Sequence, residues 1–200
     1  MFLHNACACH PADTASNPPR RGFLSGLLAA GASTLLASCA TPTAASRNDR
    51  IDIHHHVFSP AYVAELAKAN QAPPIVRGWS VAKTLDDMTK AGIGTSMLSV
   101  TTPQVSFTDA ASAKRMARES NEWVAKLAQD NPGKFGNFAM LPMQNMDDAL
   151  AEAVYALDVL KADGIGLLTS YGDKWLGHAS FAPLMDELNR RKAILYTHPT

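Results

Sequence analysis

The chain has 200 residues, of which 46% are hydrophobic and 18% are charged, a composition typical of one globular domain. Its 18 basic residues balance its 18 acidic residues, so no broad electrostatic field favours nucleic acid or an anionic membrane surface. The three cysteines, Cys7, Cys9 and Cys39, all precede residue 40. Beyond that point a disulfide, a thiolate nucleophile and a cysteine-ligated metal are excluded, so any chemistry must use other side chains and a bound ion.

The first 39 residues have the pattern of an export signal. Arg20 and Arg21 precede a weakly apolar stretch, shorter than the ~20 residues of a spanning helix, which is typical of a twin-arginine signal. The stretch ends in Leu36-Ala37-Ser38-Cys39, which resembles a bacterial lipoprotein cleavage box and implies lipidation of Cys39 and a membrane anchor on the periplasmic side. A plain cleaved signal is the alternative. Residues 40–49 are small and polar, so we interpret them as a linker and expect the folded domain to occupy residues 50–200.

From residue 50, short apolar runs alternate with helical patterns. Ser80, Asn145 and Ser180 are expected to cap the amino ends of helices, and Gly92 to end one. The alternation predicts parallel βα units. An open, doubly wound sheet is the competing architecture, but no glycine-rich phosphate loop follows the first strand. Strands are expected at residues 51–57, 97–100, 135–140, 164–168 and 193–197.

The first predicted strand ends in three consecutive histidines, His54, His55 and His56. Because side chains alternate across a strand, His54 and His56 should share one face, and His55 should be a packing residue on the other. By the same alternation, Ile51 and Ile53 are expected to pack outward against helices. In a barrel, the paired histidines would then point into the mouth where functional side chains lie.

Two later histidines follow predicted strands on the same side of the barrel. His198 ends the fifth strand, and His178 lies in the loop after the fourth. Neutral imidazoles suit zinc and related divalent ions, so we predict a metal site formed by His54, His56 and His198. A polar strand end is the alternative for these residues. For His178, a substrate contact and a helix-capping role both remain open.

These motifs resemble a known family. Asp52-Ile53-His54-His55-His56 and the pair His198-Pro199 are similar to motifs of the amidohydrolase-related superfamily. The intervening sequence resembles its metal-dependent decarboxylases, typified by aminocarboxymuconate semialdehyde decarboxylase, and more narrowly the 6-methylsalicylate decarboxylases. The narrower likeness rests on Tyr155-Ala156-Leu157-Asp158, Ala162-Asp163-Gly164, Tyr171-Gly172, Leu176-Gly177-His178 and Glu187-Leu188-Asn189-Arg190-Arg191.

The resemblance implies a (β/α)8 TIM barrel with one divalent metal, zinc in our interpretation, of which this chain holds about the first five βα units. His54, His56 and His198 match three of the family's metal ligands. An aspartate after the eighth strand and a histidine after the sixth, both expected beyond residue 200, would complete the acid–base groups. One position departs from the pattern: aminocarboxymuconate decarboxylases carry an arginine for the substrate carboxylate where this chain has Thr84, which argues against that particular substrate.

The leading functional hypothesis is non-oxidative decarboxylation of a small aromatic carboxylic acid such as 6-methylsalicylate, with Tyr171 and His178 in contact with the substrate. The same ligands suit hydrolysis of a lactone or an amide by metal-bound hydroxide. The third hypothesis is a non-catalytic or metal-binding lipoprotein, or a fragment. Because five strands of a barrel leave two open parallel edges, we interpret the chain as part of an enzyme. A homodimer is a further expectation.

Overall fold

A computed structural model describes residues 50–200 of the chain. The predicted signal, with Arg20, Arg21 and Cys39, and the predicted linker lie outside the described residues. In chain order the elements are β1 (Arg50–His56), α1 (Pro60–Lys68), α2 (Pro74–Arg77), α3 (Val81–Ala91), β2 (Ile93–Ser99), α4 (Ala110–Asp130), β3 (Phe135–Met140), α5 (Met146–Asp158), β4 (Gly164–Leu168), β5 (Ser170–Tyr171), β6 (Lys174–Trp175), α6 (Ala182–Arg191) and β7 (Ile194–His198).

Five strands form one parallel sheet in the order β1-β2-β3-β4-β7, with helices in the connections between them. Each strand thus adds beside its predecessor, so the sheet curls in one direction as a half-barrel. The prediction of parallel βα units of a barrel is confirmed. Strands β5 and β6 form a separate antiparallel pair directly after β4, which extends the loop at its carboxyl end.

The hydrophobic core lies between the sheet and the helices, in two clusters. The first joins β2, β3 and the segment directly after β1 to α1, α3 and α4 through side chains such as Leu98 and Met116. The second joins β3 and β4 to α5 and α6 around Ile165, Leu167 and Leu184, all fully buried. Burial of such side chains is the main stabilising contribution, at roughly 1.5–3 kcal/mol each, and it holds the strand ends in place.

The helix ends follow the predicted signals with one exception. The side chains of Ser80 and Asn145 accept hydrogen bonds from the backbone of α3 and α5, and Gly92 ends α3 in the left-handed region at φ 66°. The prediction for Ser180 is wrong. A 3-10 turn over Ala179–Phe181 precedes α6, and His178 supplies the capping side chain at the start of that turn.

Strand β1 has an irregularity and two exposed isoleucines. The register against β2 shifts between Asp52 and His55, so strict alternation fails at that point. Ile51 and Ile53 are exposed to 63% and 62% on this strand, which is an edge of the described sheet, so their packing under helices stays a prediction. The carboxylate of Asp52 meets His55 Nδ1 at 3.0 Å, which places these two side chains together on the helix side of the sheet.

Two local elements have no counterpart in the sequence-based prediction: the one-turn helix α2 and the β5–β6 hairpin. Helix α2 lies in the connection between β1 and β2, and the hairpin lies in the connection between β4 and β7. Among residues 50–200, no helix combines the length and the apolar character needed to cross a membrane.

Candidate metal centre

The curvature of the sheet brings histidines from its two edge strands together. In a flat sheet, β1 and β7 would lie ~19 Å apart, at ~4.8 Å for each of four strand spacings. The ring centroids of His54 and His56 instead lie 5.1 Å and 4.9 Å from that of His198. The expected convergence of the three residues is therefore confirmed.

The nitrogen atoms of the cluster lie at distances that suit one shared ion. One imidazole nitrogen from each of His54, His56 and His198 lies within 4.8 Å of the others. The Nε2 atoms of His54 and His56 are 3.2 Å apart, within the ~3–3.5 Å separation expected of two ligands at ~2.0–2.1 Å from a single ion. At this distance the two nitrogens can share one N–H···N hydrogen bond, or both can direct a lone pair at one cation.

The hydrogen bonds of His198 indicate which of its nitrogens is free to bind an ion. Nδ1 lies 2.7 Å from the carbonyl oxygen of Pro199, so Nδ1 carries the proton and donates it. Nε2 is therefore the nitrogen left for an ion, and binding of an ion would replace its present contact with the hydroxyl of Thr101, 3.3 Å away. A backbone carbonyl that fixes the tautomer of a histidine is typical of metal ligands.

The protonation state of His56 also favours a ligand role. Burial, followed by the neighbouring His198, lowers the pKa of His56 to about 4. The imidazole is therefore neutral at physiological pH, with a lone pair available.

In the metal-free protein, stability is expected to fall as the pH drops from about 6.5 to about 4. The unfolded chain takes up a proton on His56 near 6.5, whereas the folded protein does so at a pKa of about 4. Between these values the unfolded state binds more protons, so the stabilisation present at neutral pH is lost as the pH falls towards the folded pKa. Urea unfolding in a chelator should show a shallower pH dependence for His56→Gln than for the wild type. The exposed His178→Gln is the control, and equal slopes for all three proteins would contradict this assignment.

His55 lies apart from the cluster, as predicted. Its Nδ1 meets Asp52, and its Nε2 lies 3.4 Å from the hydroxyl of Thr84, which is buried in α3. Thr84 is therefore on the helix side of β1, behind the face that carries His54 and His56. In this structure the side chain of Thr84 faces His55 and not the cluster, and its bearing on the substrate stays a prediction.

The two residues predicted to contact substrate have other partners in the structure. The hydroxyl of Tyr171 accepts from the backbone N–H of Leu168 at 2.9 Å and donates to the side-chain oxygen of Gln104 at 3.2 Å. His178 Nδ1 accepts from the backbone N–H of Ser180 at 3.1 Å, which is the capping alternative raised from the sequence. A substrate contact by either residue stays a prediction.

Sequence reasoning missed two residues that organise the cluster. Tyr196 stacks on Phe138 with centroids 5.0 Å apart and meets the edge of His54 at 5.8 Å, so it supports that ring. Gln104 is buried, and its side-chain amide donates to the carbonyl oxygen of Gly166 in β4. It thereby ties the loop after β2, which carries Thr101, to β4, which lies two strands away in the sheet. The alternating strand pattern could have placed Tyr196 two residues before His198 on the same face, but no local signal identifies Gln104.

The half-barrel and the imidazole cluster at its strand ends together define a class: a (β/α)-barrel protein with a candidate metal centre at the carboxyl end of the sheet. The family-level assignment agrees with this class. The family model described as Amidohydrolase matches residues 51–200, and the chain belongs to that family.

Several curated relatives are decarboxylases by name. The chain is 46% identical over 162 residues to Decarboxylase yanB of Aspergillus niger, a match that covers 76% of this chain and 44% of that protein. It is 39% identical over 158 residues to the 6-methylsalicylic acid decarboxylase acuB of Aspergillus aculeatus, covering 76% of this chain and 48% of that protein. The chain therefore spans about half the length of the curated relatives it matches.

Solved structures share the fold over the same part of the chain. The crystal structure of an amidohydrolase II aligns with a TM-score of 0.71 at 30% identity, over 76% of this chain and 50% of that one. The dihydroxybenzoic acid decarboxylase from Polaromonas, solved with bound manganese and 2-nitroresorcinol, aligns with a TM-score of 0.65 at 22% identity, over 76% and 49%. At that identity the second likeness concerns the fold alone.

Proposed function

We propose that the protein containing this chain is a metal-dependent decarboxylase of a small aromatic carboxylic acid, of the 6-methylsalicylate type. The observation that carries the proposal is the convergence of three imidazoles at the strand ends, with the His54 and His56 Nε2 atoms 3.2 Å apart. The names of relatives that are 46% and 39% identical support the reaction and the substrate class. A barrel of this family uses the carboxyl ends of its strands as the active site.

His54, His56 and His198 would hold the ion, and zinc is our proposal because three neutral imidazoles are a ligand set typical of it. Manganese is the rival, since it is the ion in the Polaromonas decarboxylase. A bound divalent ion supplies Lewis acidity, which polarises oxygen atoms placed beside it.

The bonds that form and break in the reaction define which groups the protein must provide around the substrate. A proton joins the ring carbon that bears the carboxylate, the bond to that carboxylate breaks, and its electron pair restores the aromatic ring as carbon dioxide leaves. The substrate carboxylate must be oriented towards the three histidines. The hydroxyl of Thr101 contacts His198, and that of Thr102 donates to the carbonyl oxygen of Pro199. Both hydroxyls therefore lie beside the cluster, where they can form hydrogen bonds with substrate oxygens. We propose that the proton donor belongs to the rest of the barrel.

The test of the proposed function is a direct assay of carbon dioxide release. Full-length, metal-loaded protein should convert 6-methylsalicylate to 3-methylphenol and carbon dioxide, and removal of the metal by a chelator should stop both. Lactones and amides are the comparison substrates, because the same ligands suit hydrolysis. A preparation that opens lactones and leaves hydroxybenzoates untouched would refute decarboxylation, and one that acts on neither would support a non-catalytic role.

We propose further that residues 1–39 direct export and that Cys39 carries a lipid anchor, on the sequence pattern alone. A homodimer is likewise a proposal. Arg20→Lys with Arg21→Lys should leave the protein in the cytoplasm, and Cys39→Ala should release it from the membrane fraction. Full-length cytoplasmic protein that retains residues 1–39 would contradict both parts.

A further inference from the structure

A cavity of about 310 Å³ opens beside the histidine cluster, and helix α2 forms its outer wall. We name it the α2 pocket. His56 and Thr101 line it on the side of the cluster, and Thr101 in turn contacts His198. The pocket is therefore continuous with the candidate metal centre, and its volume lies within the range of small-molecule sites, roughly 300–1,000 Å³.

Most of the remaining lining of the pocket is apolar. Phe58 and Val76 are buried there, and Ile75 stands at the rim with 80% of its surface exposed. Phe58 meets Trp79 edge to face, with ring centroids 6.3 Å apart, and stacks on Tyr62 at 6.5 Å. These aromatic contacts hold the wall in place without a ligand.

Helix α2 is also fixed at both ends. The guanidinium of Arg77 donates to the carbonyl oxygen of Ala72 at 2.6 Å, and Gly78 N–H donates to that of Pro74 at 2.9 Å. Ile75 adds an exposed aliphatic side chain to the lining of this cavity. Because Ile75 lines an apolar cavity, a ligand bound there would contact its side chain and shield it from water.

Resting on the proposed function, we infer that the α2 pocket binds the alkyl-bearing edge of the aromatic acid, and that Ile75 and Val76 set a preference for ligands that carry an alkyl substituent there. The polar edge of such an acid would face the histidines and the threonines. A methyl group that flanks the carboxylate on the side away from the hydroxyl would be removed from water against Phe58, Val76 and Ile75. A hydroxyl there would lose its hydrogen bonds to water.

The experiment compares ligand pairs that differ by one methyl group, in full-length, metal-loaded protein. Decarboxylation is measured as kcat/KM for 6-methylsalicylate and salicylate, and binding of the products 3-methylphenol and phenol is measured by calorimetry. In the wild type we expect kcat/KM and affinity to be roughly tenfold higher for the ligand that carries the methyl group. Tenfold is the low end of the discrimination that one methylene produces in an apolar pocket. In Ile75→Ala the preference should fall to about threefold or less, and in Ile75→Asp to about one.

Val159→Ala is the matched control, because Val159 is also an exposed aliphatic residue, at 60%, and follows α5 at the opposite end of the sheet. It should keep the wild-type preference. A wild-type preference near one, or one that Ile75→Ala leaves unchanged, would overturn the inference. If neither acid is decarboxylated, the proposed function fails, while the pair of phenols still tests the pocket.

Discussion

Replacement of His56 by alanine is expected to abolish decarboxylation and to release the bound metal from the full-length protein. The side chain supplies one of three converging imidazoles, and its Nε2 lies 3.2 Å from that of His54. Loss of a hydrogen-bond partner behind a metal ligand costs 10–100-fold, so loss of the ligand itself should exceed about 100-fold in activity. The measurement pairs metal content, by elemental analysis, with the rate of carbon dioxide release.

His55→Gln is the matched control for this variant. It changes the adjacent histidine, whose side chain faces Asp52 and Thr84 on the helix side of β1. Glutamine can replace part of that hydrogen bonding, so metal content and activity should stay close to wild type. Equal losses in both variants would mean that the effect reflects folding of β1 and not metal binding.

The largest effect on stability is expected from Arg118→Met in helix α4. Its guanidinium donates to Glu152 at 2.7 Å, and only 3% of the Glu152 side chain is exposed. Removing one partner of a buried ion pair costs about 3–5 kcal/mol because the other charge stays buried. Since 36% of the Arg118 side chain is exposed, we expect the low end of that range, about 3 kcal/mol in the free energy of unfolding by urea.

Two further variants test whether the loss of stability in Arg118→Met arises from the buried charge of Glu152. Arg115→Met, on the same helix, breaks a pair with Glu119 in which both side chains are about half exposed, and should cost less than about 1 kcal/mol. Combining Arg118→Met with Glu152→Leu removes both charges and should restore most of the loss. Equal destabilisation by the two arginine variants, or no recovery in the double variant, would contradict this account.

The Arg118–Glu152 pair also acts on the strand that it supports. Glu152 accepts from the side-chain amide of Asn121 at 2.8 Å, and Asn121 bonds both the N–H and the carbonyl oxygen of Met140, the last residue of β3. The pair therefore holds a strand end in the middle of the sheet. This network joins residues more than 30 positions apart in sequence, and no local pattern could have predicted it.

Local sequence signals predicted the parts of this structure that depend on local physics. Ser80 and Asn145 cap helices because a short polar side chain can accept from the first free N–H groups. The alternation of β1 predicted that His54 and His56 share a face, and the βα order placed His198 at the same end of the sheet.

The predictions fail where contacts with neighbouring elements determine the local structure. The irregularity between Asp52 and His55 brings these two side chains together, although strict alternation would place them on opposite faces of β1. Ser180 loses its capping role because a 3-10 turn, capped by His178, comes first. Helix α2 escaped prediction because its four residues are too few to show a helical period, and the α2 pocket went unpredicted with it.

The most direct test of the central claim is a crystal structure of the full-length, metal-loaded protein, with anomalous diffraction measured at the absorption edge of zinc. The account predicts one anomalous peak between His54, His56 and His198, with their nitrogens at ~2.0–2.1 Å from the ion. An ion bound elsewhere, or histidines that remain in contact with each other while the protein is active, would contradict it.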